Sequence, residues 1–492
     1  MRYILTTFAL FLTLVTYSGE HQPDAGNRHE PYRPTFHFTP QTGWMNDPNG
    51  LVYLNGTYHL FYQYYPDGIV WGPMHWGHAS STDLMHWSHL PTALYPDSLG
   101  WIFSGSAVID RENRAGFGKD AMVAIFTYHN DAIRKNGKKN TESQGIAYSL
   151  DEGKSWTKYS GNPVLKNTGE PDFRDPKVIW NEQINKWNMV LAVGDRIRIF
   201  SSSDLKQWQA ESDFKPAENV ETGVWECPDL FPMKTGNEEK WVLIVNHGSK
   251  APNGGSGTRY FTGDFDGKKF TENGPARWLD LGVDFYAAVT YSNAPDSKRI
   301  LIGWMSNWQY ANKTPTSDYR SAMTLPRELI LSKDHGSYFL RQKLVTQFYR
   351  TLKPVFSSKN IRMPFTKNGL DLSHSEITFT TLPDSESLTI VISNTLKEEF
   401  KIEVTSNLIT MDRSKSGKTA FSDHFAQIQK IPIENSIRNL QLVLDRSSIE
   451  ILLNDGKYSI TNQVFPNEIF SILSIQTKSG KKITHLEINS VE

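Results

Sequence analysis

The 492-residue sequence holds one cysteine, Cys227. No intrachain disulfide can form, so the fold must rest on packing alone. A thiol nucleophile would need a base, and no histidine lies near Cys227 in the sequence, so this residue reads as a small packing group beside an acid. An excess of either charge is also lacking: the formal net charge is -1 and no dense basic run occurs. That disfavours nucleic acid and anionic membranes as partners and leaves a neutral small molecule. Long apolar runs are confined to residues 4–15, shorter than the roughly 20 residues a membrane span requires. With Arg2 ahead of that run and Thr16-Tyr17-Ser18 after it, residues 1–19 read as a secretory signal; a secreted protein without a membrane anchor is expected. Amphipathic helical periodicity is scarce. Tryptophan is missing from the last part of the chain, all 14 lying between Trp44 and Trp308.

What the chain has instead is short alternating runs. Val52-Tyr53-Leu54 turns at Asn55-Gly56 into Tyr58-His59-Leu60-Phe61-Tyr62, and similar runs continue for some 280 residues, so the chain is all-β. A faint repeat runs through them. Asp83, Asp151, Asp204, Asp266 and Asp334 each precede an aromatic residue, at steps of 68, 53, 62 and 68 residues, enough for a four-stranded blade. Five markers give a five-bladed β-propeller over residues 34–340. The loss of tryptophan marks a boundary: residues 341–352 read as a short helical linker, and the alternating runs of 353–492 as a C-terminal β-sandwich of structural role.

Three carboxylates share one local setting, a proline one or two residues on and then an apolar run: Trp44-Met45-Asn46-Asp47-Pro48-Asn49-Gly50, Phe173-Arg174-Asp175-Pro176-Lys177-Val178 and Trp225-Glu226-Cys227-Pro228-Asp229-Leu230. An isolated Asp-Pro is usually only a turn. Here the framing tryptophans and the threefold recurrence point to one site, since strands of different blades converge on a propeller's central channel. Three acids in an aromatic pocket suit glycosidic-bond cleavage, where one carboxyl protonates the leaving oxygen and another attacks. Asp47, surrounded by donors, is expected ionised, and Glu226, near both aspartates, to favour its protonated form. His75/His78 and His86/His89 are spaced three apart, which on a strand sends the two side chains to opposite faces; no metal and no other cofactor is expected. Asn55-Gly56-Thr57 and Asn312-Lys313-Thr314 are sequons that would place glycans on Asn55 and Asn312.

The three motifs resemble the signatures of glycoside hydrolase family 32, the invertases and fructan hydrolases. HLFYQYYP, WGPMHWGHA, FSGS, DFYA and GWM follow in the family's order, WGPMHWGHA being similar to bacterial-type sucrose hydrolases, and DRSSIEILLNDG (445–456) resembles the family's sandwich signature. The resemblance implies a five-bladed propeller joined to a β-sandwich. It implies Asp47 as nucleophile, Glu226 as acid/base and Asp175, with Arg174, as transition-state stabiliser. It further implies a fructose pocket formed by Trp44, Asn46, Gln63, Trp71, Phe103, Ser104, Arg174, Tyr286 and Trp304. The expected activity is retaining hydrolysis of sucrose. An exo-fructan hydrolase or fructosyltransferase is the near rival and a non-catalytic sugar-binding propeller the distant one; three mutually repelling carboxylates argue against the last.

Overall fold

The computed structural model describes residues 30–218, 223–380, 387–434, 437–478 and 483–492, so the expected signal at 1–19 lies outside it. The chain is all-β. Five antiparallel sheets follow one another in sequence, opening with the strands Gly43–Leu54, Trp101–Asp110, Phe173–Asn181, Trp225–Thr235 and Tyr286–Thr290. Each opening strand lies beside the next, and the fifth returns to the first. The circle is sewn shut by Tyr319–Arg320, which pairs in parallel with Gly43-Trp44, and by the bridge from Val52 to Ser292.

Asp83, Asp151, Asp204 and Asp266 lie in the connection between the third and fourth strands of their sheets, and Asp334 ends the strand that leads into the corresponding turn of the fifth. The reason is local. Asp83 accepts from the backbone N–H groups of Met85 and His86, Asp204 from Lys206 and Gln207, and Asp266 from Lys268 and Lys269. An Asp side chain closes such a turn on its own backbone, which is why the spacing was visible in the sequence.

The expected linker is only partly one. Residues 341–344 complete the strand Ser337–Leu344, paired with Arg327–Asp334, and the helix is confined to Thr346–Arg350. Gln342 and Leu344 point inward, so the sheet, not the connector, claims them. Beyond Leu352 come two six-stranded antiparallel sheets around one apolar cluster that includes Ile377, Phe379, Ile390, Phe400, Leu442, Ile451, Ile475 and Leu486. Alternating strands with one apolar face have this arrangement as their stable solution.

A buried polar seam joins these sheets to the preceding five. Arg327 lies between Asp280 and Glu450, and Arg413 donates to Asp284 Oδ2 and Tyr310 Oη. His37 has Nδ1 at 2.8 Å from Asp445 and Nε2 at 2.7 Å from Glu450. Asp445 and Glu450 both come from DRSSIEILLNDG, so that signature serves the seam. Its last residue, Gly456, has φ +78° and sits so close to Gln342 that a Cβ would fall 1.8 Å from the Gln342 carbonyl oxygen. Burial disfavours a charged His37, but the two carboxylates outweigh it and push its pKa up to about 9. Its stabilising contribution is therefore complete below the unfolded value of about 6.5, fades as pH rises and is gone above about 9. His37→Gln should lower the melting temperature most near about pH 6 and least at high pH; a deficit of constant size across a pH series would refute the charged assignment.

Candidate active site

All five opening strands carry the same irregularity at the same end. In each, two residues stand opposite one on the neighbouring strand: Asn46-Asp47 opposite Gln63, Phe103-Ser104 opposite Thr127, Asp175-Pro176 opposite Leu191, Cys227-Pro228 opposite Val245 and Ala287-Ala288 opposite Gly303. A bulge interrupts strict alternation and re-aims the side chains around it. It also removes the need for a ladder N–H, so proline is tolerated there. Asp175, Cys227 and Ala287 have φ of +64°, +42° and +52°, strained values that the surrounding sheets must hold in place. The stretch 44–50 is thus neither turn nor approach to a hairpin; it lies inside the first strand.

The bulges bring the three acids together. Asp47 accepts from Asn46 Nδ2 at 2.9 Å, Ser104 Oγ at 2.8 Å and the Cys227 thiol at 3.4 Å. Asp175 accepts from the Cys227 backbone N–H at 2.9 Å, while its own N–H donates to Thr127 Oγ1. Glu226 receives Arg174 Nη2 at 2.9 Å on one oxygen and the Tyr286 hydroxyl on the other. Arg174 is the hub: Nη1 reaches Asp172 at 2.7 Å and Glu142 at 3.3 Å, and Nε stands 4.0 Å from Asp175.

One cation among so many acids leaves negative charge unbalanced. Burial, and then the Glu226 charge, raise the Asp47 pKa, against the pull of its three donors. Asp175 is pushed up to about 8, chiefly by burial; Arg174 opposes the shift, while Glu226 and Asp47 reinforce it. Burial and the same carboxylates keep the Cys227 thiol protonated, as suits a packing and donor group and not a nucleophile.

Of the expected pocket residues, Asn46, Ser104, Arg174 and Tyr286 touch the acids directly. Trp44, Gln63 and Trp304 are fully buried and form a backing: Trp44 Nε1 donates to Asn46 Oδ1 at 2.7 Å, Trp304 packs at a tilt against Trp44, and Gln63 Nε2 holds the Ile102 carbonyl. Phe103 lies flat on His129 with ring centroids 4.3 Å apart, and Trp71 stands at the rim against Trp101 and Phe103. Sequence reasoning missed Glu142, which is buried and accepts from Arg174, His129 and the Phe173 N–H. Burial works against its charge, but Arg174 and then His129 hold its pKa below the usual range. His129 ends the second strand of its sheet and Glu142 opens the third, paired with each other, and neither carries a local motif. Asp172, adjacent to Phe173-Arg174-Asp175, was findable from proximity.

The spaced histidines do not converge: His75 contacts the Pro73 carbonyl while His78 is buried on His59. The far ends of the same strands line a separate chamber of about 670 Å³ around Lys177, Asp229 and Thr290, which contains none of the three acids. Asn55 and Asn312 are both exposed. No helix among the described residues is long and apolar enough to cross a membrane.

Comparison with known proteins agrees with this arrangement along almost the whole chain. Residues 37–343 match the family model "Glycosyl hydrolases family 32 N-terminal domain", and residues 346–490 match "Glycosyl hydrolases family 32 C terminal". The sequence is 43% identical to a levanase of Bacillus subtilis, over 99% of this chain and 74% of the relative. It is 37% identical to an extracellular exo-inulinase of Aspergillus niger, over 95% and 96%. Among solved structures, exo-inulinase from Aspergillus awamori superposes with a TM-score of 0.85 at 34% identity, covering 95% of this chain and 99% of that one. A β-fructofuranosidase from Schwanniomyces occidentalis in complex with fructosyl-erythritol gives 0.82 at 31%, covering 94% and 98%. With both family models matched end to end around the bulged acid cluster, the chain belongs to glycoside hydrolase family 32.

Proposed function

We propose that this family 32 hydrolase is a secreted, retaining exo-fructanase, which removes terminal β-D-fructofuranosyl units from levan- or inulin-type chains and accepts sucrose as a small substrate. The sequence reading put sucrose first. Kinship with a levanase and with extracellular exo-inulinases, over nearly the full chain, moves the preference to the polymer and also supports secretion. In this reading the five sheets are propeller blades spanning about residues 34–340, and the two six-stranded sheets form a β-sandwich over 353–492.

The observation that carries the mechanism is the convergence of Asp47, Asp175 and Glu226 at one end of the opening strands, in contact with Arg174, Tyr286, Ser104 and Cys227. A terminal fructosyl ring enters past Trp71 and stops against the backing of Trp44 and Trp304, which suits attack from a chain end. Glu226, held by Arg174 and Tyr286, protonates the departing oxygen while Asp47 attacks the anomeric carbon. Asp175 accepts hydroxyl hydrogen bonds that tighten as positive charge develops on the ring. Glu226 then takes a proton from a water molecule as its oxygen attacks the anomeric carbon; the bond to Asp47 breaks, the carboxylate is regenerated, and fructose leaves with its configuration retained.

Purified protein should convert levan and inulin to free fructose, shortening chains one unit at a time, with β-fructofuranose as the first anomer seen by NMR. Oligofructosides as the initial product would rule out exo action. A lack of turnover on levan, inulin, raffinose and sucrose would favour the non-catalytic sugar-binding alternative.

A further inference from the structure

We propose that Asn312 is a positioning residue which sets how tightly a fructan chain is gripped, by fixing Trp71 at the mouth of the site; the inference rests on the hydrolase reading above. Between Pro66 and Met74 the chain pairs with no strand, and Trp71 in its middle is 36% exposed. The Trp71 backbone N–H donates to Asn312 Oδ1 at 2.9 Å across 241 residues of sequence, so a loop of the first sheet is tied to one near the end of the circle.

Asn312 is the rigid partner of the two. It lies in the single 3-10 turn Ala311–Lys313, whose carbonyl groups are gripped by buried Arg320. Arg320 also donates to the Thr316 carbonyl and hydroxyl, and it pairs in strand register with Trp44. The mount of Asn312 is therefore continuous with the strand bearing Asp47. The Trp71 ring stands 5.6 Å from Trp101 and 6.1 Å from Phe103, the residue next to Ser104, which donates to Asp47. Since Trp44 and Trp304 close the inner side, Trp71 faces the sugar beyond the scissile bond. Its indole offers an apolar surface to that unit only while the loop is held in place.

The test compares Asn312→Ala and Asn312→Asp on levan, 1-kestose and sucrose, using protein made in a host that adds no N-glycans, so that a missing glycan cannot mimic the effect. Asn312→Ala should raise KM for levan roughly 3- to 10-fold, the scale of one lost hydrogen bond, with kcat within about 2-fold of the parent. Asn312→Asp keeps an acceptor oxygen and should restore KM. The proposal is overturned if Asn312→Ala leaves KM unaltered, if kcat falls equally on all three substrates, or if Asp fails to rescue while thermal unfolding is unchanged. An unmutated protein inactive on every fructoside would remove the hydrolase reading and this inference together, whereas an active parent with an indifferent Asn312→Ala removes this inference alone.

Discussion

Incubated with an activated β-fructofuranoside, the Glu226→Gln protein should accumulate a fructosyl ester on Asp47 and on no other carboxylate. Glu226 is bonded to Arg174 and Tyr286, a setting that positions a proton donor, whereas Asp47 keeps Ser104 and Asn46 as donors that leave it oriented to attack. Loss of the acid/base should slow natural substrates by roughly 100- to 10,000-fold. An activated leaving group needs no protonation, so the first step proceeds and the ester waits for a base that is gone. Asp47→Asn should cost more, about 10,000-fold or beyond on every fructoside, because no other group can form the bond. Mass spectrometry of the digested, trapped protein decides the matter: an adduct on the peptide of Asp175 with Asp47 unmodified would reverse the two assignments.

Replacing Arg327 by Leu should destabilise the whole protein by about 3–5 kcal/mol, the usual scale for breaking a buried charge network by removing one partner. Arg327 is fully buried, and its guanidinium contacts Glu450, Asp280 at 2.9 Å, Gln342 at 3.0 Å and Thr461 at 2.7 Å. Burial disfavours its charge, yet Glu450 and Asp280 more than compensate and raise its pKa. Without it Glu450 still has His37, but Asp280 retains only neutral donors from Ser459, Thr461 and the Gly282 backbone among the described residues. Native stabilities of about 5–15 kcal/mol leave little margin for that loss. A control is the exposed Lys333–Glu238 pair, 2.8 Å apart, whose removal should leave the denaturation midpoint where it was. A midpoint unmoved by Arg327→Leu would show that the seam contributes nothing net.

The features legible in the sequence were those written in local chemistry. The aspartate turns between third and fourth strands satisfy their own backbone, so they kept their signature and their spacing. The acids were legible because bulges admit proline, which left Pro48, Pro176 and Pro228 as flags beside them. The same bulges hid the secondary structure: two-against-one pairing breaks the alternation by which a strand is recognised, and the stretch 44–50 looked like a turn. Glu142 and His129 were invisible because they meet Arg174 and each other only across strands and sheets, at a sequence distance no motif records. The rank of sucrose against fructan was equally hidden, since the proposed roles of the three acids are the same for either substrate.

The pairing of Tyr319–Arg320 with Gly43-Trp44 sets an order of events during synthesis. Arg320, which completes the strand paired with Gly43-Trp44, is translated 273 residues after Asp47 (320 − 47). At elongation rates of about 5–20 residues per second, the first sheet waits roughly 14 to 55 s with that side unpaired. An unpaired strand edge is a template for association with other chains. Protein released early by truncation before residue 319 should therefore be recovered as aggregate, and a holding chaperone should matter most for nascent chains of that length. The proposed nucleophile is made long before the strand that closes the circle beside it.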